Sequence, residues 1–337
     1  MKFNCYIQTL VSILSVVLCI NISRAQVVPV MNSAKATTAV TLATIHPEMV
    51  SPVNNSRTAG VKSGTRSNVV YNITLEARIA GVDDTSYYAL NFRISYWKVY
   101  VGKWDRVDND IQGNRNPVTG NFTAQLDVTK ILTTNDCPIY ISPYIGGAVF
   151  GTQSTVHVLK GKQIEALMGD GTNGDYNSWV HFPYHYGGKG MYYCPHTQYS
   201  SANCADGSLD HDDSRLSETA PHPSGNTYHG CCLDCGGLVQ QLYRQVGLEK
   251  IGKHGGVEGL GIGKPANLQA DVFPQISRQN LQLGDIVHHY NHIMIYAGYG
   301  DAVFEAPGNG QWTKRTEDRI DGGDDFSGPS ALGIDMW

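Results

Sequence analysis

No stretch of this 337-residue chain declares a membrane-spanning helix. The apolar run near its start, Leu10 to Ile20, falls short of the roughly 20 residues that crossing a bilayer requires. It follows Met1-Lys2 and ends in Asn21-Ile22-Ser23-Arg24-Ala25-Gln26, where Ser23 and Ala25 occupy the small-residue positions of a signal-peptidase site. The expectation is a leader over 1–25, cleaved after Ala25, and a secreted or cell-envelope mature chain without a membrane span. Runs of lysine and arginine are also missing: 25 basic residues stand against 30 acidic ones, a formal net charge of −5. That excludes nucleic acid as the expected partner. Internal repeats are absent, and so is any long helical period before Leu159.

What fills residues 26–160 instead is alternation. Val69, Tyr71, Ile73, Leu75, Ala77 and Ile79 interleave with polar neighbours, the signature of a half-buried strand. Leu90, Phe92, Ile94 and Tyr96 begin another, whose phase shifts to Trp97, Val99 and Val101, predicting a bulge. Phe122, Ala124, Leu126 and Val128 alternate again, and further apolar segments follow at 139–149 and 155–159. This half reads as an all-β, sandwich-like accessory or targeting domain, and it holds no catalytic grouping. A short helix over 160–168 then leads into the second half, 161–337.

That second half is organised around Asp234-Cys235-Gly236-Gly237-Leu238-Val239-Gln240-Gln241-Leu242-Tyr243. Leu238, Val239, Leu242, Tyr243 and Val246 draw one apolar stripe down a helix of about three turns. Asp234 is its natural N-cap and Gly247 its stop. Cys235 therefore lies in the first turn, where unpaired N–H groups and the helix dipole favour a thiolate. A thiol there reads as a nucleophile.

Asp234-Cys235-Gly236-Gly237-Leu238-Val239 resembles the D-C-S-G-L-V motif of the NlpC/P60 cysteine peptidases, with Gly236 in place of the usual serine. Pro183-Tyr184-His185-Tyr186-Gly187-Gly188 is similar to the family's P-Y-x-W/Y-G-G segment, whose tyrosine lines the site. Leu283-Gly284-Asp285-Ile286-Val287 and His292-Ile293-Met294-Ile295-Tyr296-Ala297-Gly298 resemble its P-G-D-L-V and H-V-G-I-Y-x-G strands. The resemblance implies an α+β fold overall: the β-rich first half followed by a papain-like α+β domain. It also implies hydrolysis of peptidoglycan stem peptides, most often between γ-D-glutamate and the diamino acid, without a cofactor.

Amide cleavage by a thiol needs a base and a group that orients that base. His288, His289 and His292 are the candidates. If Gly298-Tyr299 is a two-residue hairpin turn, His292 directly faces Glu305 across the strand pair. Glu305 could then hold one ring nitrogen and aim the other at Cys235. The resemblance points to the same pair, although the family's third polar residue is most often His, Asn or Gln. His288 and His289 are expected to be non-catalytic cleft residues, and Tyr184 to help hold the oxyanion.

Other readings stay open. The same Cys–His pair supports an amidase or acyltransferase, and a catalytically silent surface-binding module would arise if Cys232 and Cys235 were bonded. Zinc binding by His229, Cys231, Cys232 and Cys235 is conceivable, but a second ligand pair at metal-site spacing is missing, so no metal is expected. With the leader removed and Cys235 free, Cys137, Cys194, Cys204, Cys231 and Cys232 cannot all pair within one chain. A Cys194–Cys204 bridge is the simplest tie for the insert 189–229, which exceeds the usual family spacing.

Overall fold

The structure, a computed structural model, describes residues 45–64, 68–82, 84–100, 103–147, 149–169, 178–180, 184, 233–249, 251–252, 272–289, 292–308 and 311–337. The leader, the insert 189–229 and Cys194, Cys204, Cys231 and Cys232 lie outside them. No disulfide joins two described cysteines. Cys137 is nonetheless disulfide-bonded, and Cys235 is a free thiol.

The α+β class with a papain-like domain is overturned. Of the described residues, 44% lie in strands of three sheets and 14% are helical, with two short α-helices among them. The physical reason lies in the described residues after Gly247, where apolar segments pair as strands from Ile286 onward. Among the described residues only Lys160–Met168 and Cys235–Val246 form α-helices, and neither is long enough to build a helical layer.

Two sheets make the first half. One has the order β1 (His46–Ser51), β4 (Val70–Ala80), β8 (Phe122–Asp127), β7 (Asn114–Arg115), with β3 (Val61–Ser63) also on β4. The other runs β2 (Ser56–Thr58), β11 (Ser154–Val158), β9 (Ile139–Ile145), β5 (Leu90–Tyr100), β6 (Lys103–Gln112), with β10 (Val149–Phe150) on β9. Alternation decides which faces meet: Tyr71, Leu75 and Ala77 of β4 and Leu90, Phe92 and Ile94 of β5 are buried, while Asn72, Thr74, Glu76, Asn91 and Arg93 between them are not. The expected bulge in β5 is absent. Its register with β6 is unbroken from Asn91↔Gln112 to Tyr100↔Lys103. The phase shift at Trp97 has another cause, because pairing with β9 ends at Ser95. Beyond that residue the hairpin leaves the sheet's interior, and no single face has to stay apolar.

The third sheet has the order β15 (Lys314–Thr316), β14 (Val303–Glu305), β13 (His292–Tyr296), β12 (Ile286–His289), β16 (Asp325–Ser327), every pair antiparallel. Helix α1 (Lys160–Met168) begins two residues after β11, and α2 (Cys235–Val246) carries the thiol. One hydrophobic core runs through both halves, from Tyr71 and Val158 through Ile164 and Leu242 to Ile295 and Met336.

Polar contacts lock the halves together. Lys160 is fully buried, with its Nζ donating to the Val128 and Thr129 carbonyls at 3.1 and 2.8 Å and to Gln163 Oε1 at 2.9 Å. The β half also supplies a lysine to the C-terminal end of each helix: Lys62 donates to the Ala166 carbonyl at 2.8 Å, and Lys130 to that of Arg244. The final residues close the other end, where the Lys160 and Gly161 amides donate to the Asp335 and Met336 carbonyls at 2.9 and 3.0 Å. Gly161 has to be glycine here, since a Cβ would stand 2.1 Å from the Leu283 carbonyl oxygen.

Candidate active site

Helix α2 begins as its sequence demands. The Asp234 side chain accepts from the Gly237 amide, and Gly247 ends the helix at φ +84°, where its amide and the next turn back onto Tyr243 and Arg244. Leu238, Val239, Leu242 and Tyr243 are buried against the third sheet, which they share a core with through Ile286, Ile293 and Ile295. The Tyr243 hydroxyl donates to the Gly284 carbonyl at 2.6 Å and fixes the helix to the turn before β12. Cys235 is thereby delivered, half-buried, to the end of the sheet where His292 opens β13.

His292 meets both expected partners. It is hydrogen-bonded to Cys235, and its Nε2 lies 2.8 Å from Glu305 Oε2, which leaves Nδ1 for the thiol. Burial works against the imidazolium, but the hydrogen bonds to Cys235 and Glu305 and their charges outweigh it and raise the pKa of His292 to about 9. Glu305 responds in the opposite sense. Its burial opposes ionisation, yet the hydrogen bonds from His292 and Thr316, with the charges of His292 and Arg319, lower its pKa below the ordinary carboxylate value. An ion pair of imidazolium and carboxylate follows at neutral pH.

The hairpin reaches this geometry by a different register from the one expected. Gly298-Tyr299 is not a two-residue turn. The Ala297 amide donates to the Ala302 carbonyl at 2.9 Å, closing a loop over 298–301, and Tyr296 pairs with Val303. Continuing that register puts Glu305 opposite Met294 rather than His292. A displacement of two residues keeps the side chain on the same face, so Glu305 reaches His292 diagonally.

His288 and His289 part company. His288 is 4% exposed, with Nε2 3.2 Å from Ser327 Oγ, and burial pushes its pKa down to about 4, so it lines no open cleft. His289 pairs with His292 in register and is half-exposed; its Nδ1 lies 2.7 Å from the buried Asp324 carboxylate and 3.7 Å from Asp321. Tyr184 forms a parallel bridge with Leu233, two residues before Cys235, and its amide donates to the Gln311 carbonyl at 3.1 Å. The chain therefore brings together Cys235, His292 and Glu305, with Tyr184 on the segment alongside. Asp285, from the Leu283-Gly284-Asp285 motif, serves structure: it accepts from the Gln282 and Ser330 amides and the Ser330 hydroxyl, and burial raises its pKa to about 6.

Sequence reasoning missed two residues around Glu305. Thr316 Oγ1 donates to Glu305 Oε1 at 2.6 Å, and Arg319 Nε lies 3.6 Å from Oε2. Thr316 belongs to a three-residue edge strand too short to show a period, and Asp318, at φ +48°, turns the chain before Arg319. Their one signal is polarity beside a candidate acid. His289, Asp321 and Asp324 are the described group whose side-chain atoms lie close enough together to share a metal ion; His289 Nδ1 and the Asp321 amide are both hydrogen-bonded to the Asp324 carboxylate. In comparisons with known proteins, no protein-family model and no curated sequence matches the chain.

Proposed function

We propose that this protein is an exported cysteine peptidase that hydrolyses peptidoglycan stem peptides. The observation that carries the reading is the free thiol of Cys235, at a capped helix start, hydrogen-bonded to a His292 whose other nitrogen is held at 2.8 Å by buried Glu305. The free thiol also speaks against a site silenced by a Cys232–Cys235 bond. The likeness to NlpC/P60 peptidases in the Cys235, Tyr184 and His292 motifs supports the substrate class and, in particular, the bond between γ-D-glutamate and the diamino acid. That likeness is one of motifs, not of overall fold.

In the proposed reaction His292 holds the proton as the imidazolium and the Cys235 thiolate beside it attacks the scissile carbonyl. The oxyanion is held by the Cys235 amide, unpaired in the first turn of α2, and by the Tyr184 hydroxyl. His292 then gives its proton to the leaving amine as the C–N bond breaks. Water, deprotonated by the same imidazole, releases the acyl group and restores the thiol. Glu305 keeps the ring oriented and stabilises the imidazolium throughout.

Mass spectrometry of purified peptidoglycan, digested with the mature protein or its Cys235→Ala variant, tests this. New fragments ending in γ-D-glutamate, made only by the unaltered protein, are expected. Equal fragments from both proteins would remove Cys235 from the reaction, and none from either would reject the substrate.

A further inference from the structure

Glu305 brings a full negative charge into the site, where a neutral amide would orient an imidazole as well. Its side chain is 3% exposed, so that charge is held away from water. A cation stands beside the same carboxylate. Arg319 Nε lies 3.6 Å from Oε2, the oxygen that accepts from His292, while Oε1 is taken by Thr316.

The backbone under Arg319 is fixed. Its amide and that of Ile320 both donate to the Asp301 carbonyl, at 2.9 and 3.2 Å, which ties this segment to the 298–301 loop of the His292 hairpin. The Arg319 side chain is 29% exposed and reaches Glu305. We propose, building on the peptidase reading, that Arg319 is a positioning residue that balances the charge of Glu305 and so sets the pH range in which His292 holds and releases its proton. A site with a buried acid as its third member then becomes a line of four groups: thiol, imidazole, carboxylate and guanidinium.

Other described charges around the site have different engagements. Lys314 is opposite Glu305 in register on β15, but its Nζ donates to Gln311 Oε1 at 3.2 Å. On β12, His289 faces His292 and is bonded to Asp324, with Asp321 on its outer side. On the α2 side Asp234 is the cap for Gly237. Arg319 is the described cation that contacts the Glu305 carboxylate besides His292.

Removing a positive charge favours protonation of every group it faces, so neutralising Arg319 shifts His292 toward the imidazolium. NMR titration of the His292 ring, assigned by its loss in H292N, reads this in the full chain without substrate. Arg319→Gln and Arg319→Met should raise the midpoint by about half a pH unit or more, the effect of a partly exposed charge acting across one side chain. Arg319→Lys should stay within a few tenths of a unit of the unaltered protein, and Lys314→Gln should move it less than the neutral Arg319 variants do. An unchanged midpoint in both neutral variants, with or without a lower melting temperature, would make Arg319 a structural clasp and overturn the proposal. An equal rise in Lys314→Gln would overturn it too, assigning the effect to a diffuse field. Because no turnover is involved, rejection of peptidoglycan as substrate leaves this result standing, and the reverse holds as well.

Discussion

Replacing Glu305 with Gln alters the central pair with the least change of shape. The side chain keeps its length and an oxygen for Thr316, but it loses the charge that faces His292 Nε2 at 2.8 Å. His292 stands at about 9 against an ordinary 6.5, a difference worth about 3 kcal/mol at 1.36 kcal/mol per unit. Cys235 shares in that rise and burial opposes it, so Glu305 accounts for on the order of 1–2 kcal/mol, or about one pH unit. The variant should therefore titrate His292 at least about one unit lower, and its kcat/KM at pH 8 should fall about tenfold. Stability has its own pH signature. His292, raised in the folded protein, contributes fully below 6.5 and loses its contribution as pH rises toward 9. Glu305, lowered, contributes above its ordinary 4.5 and loses its contribution as pH falls. The stability gap between the unaltered protein and Glu305→Gln should be widest between about pH 4.5 and 6.5 and narrow on either side. Urea unfolding at a series of pH values measures it. A gap independent of pH, with an unmoved His292 titration, would refute the ion pair.

Three further perturbations address the frame that holds the site. Asp234→Ala removes the cap of α2 and should cost about 1 kcal/mol in urea unfolding, with Asp234→Asn retaining most of it. Lys160→Met strands the three acceptors that its ammonium satisfies, so a loss of about 2–4 kcal/mol is expected although the replacement is apolar and of similar length. Gly161→Ala forces a methyl against the Leu283 and Met336 carbonyl oxygens, 2.1 and 2.6 Å from the new Cβ, and should lower the melting temperature more than Gly322→Ala, where nothing stands within 4 Å.

How far the sequence could be read depended on whether one local rule decided the outcome. Helix α2 was legible because its stripe, its Asp234 cap and its Gly247 stop agree with one another, and β4 because one face is buried for its whole length. Trp97 misled because alternation reports burial, and burial stops where β5 leaves β9. The pairing of Glu305 with His292 was legible although the turn was not, since a two-residue displacement preserves the face. Overall class was beyond such rules: a handful of motif residues around a thiol says little about how the rest of the half is layered, and its described residues are layered as a five-stranded sheet with α1 and α2. Arg319 and Thr316 were invisible for a related reason, because their roles exist only once β14 and β15 pair.

The most direct test of the account is whether an acyl group passes through Cys235. A stem-peptide substrate mixed with the protein, quenched in acid during turnover and mapped by mass spectrometry should yield a thioester on the Cys235 peptide, absent from Cys235→Ala. Cleavage that proceeds with no adduct on that peptide, and continues in the Cys235→Ala protein, would contradict nucleophilic catalysis at this site.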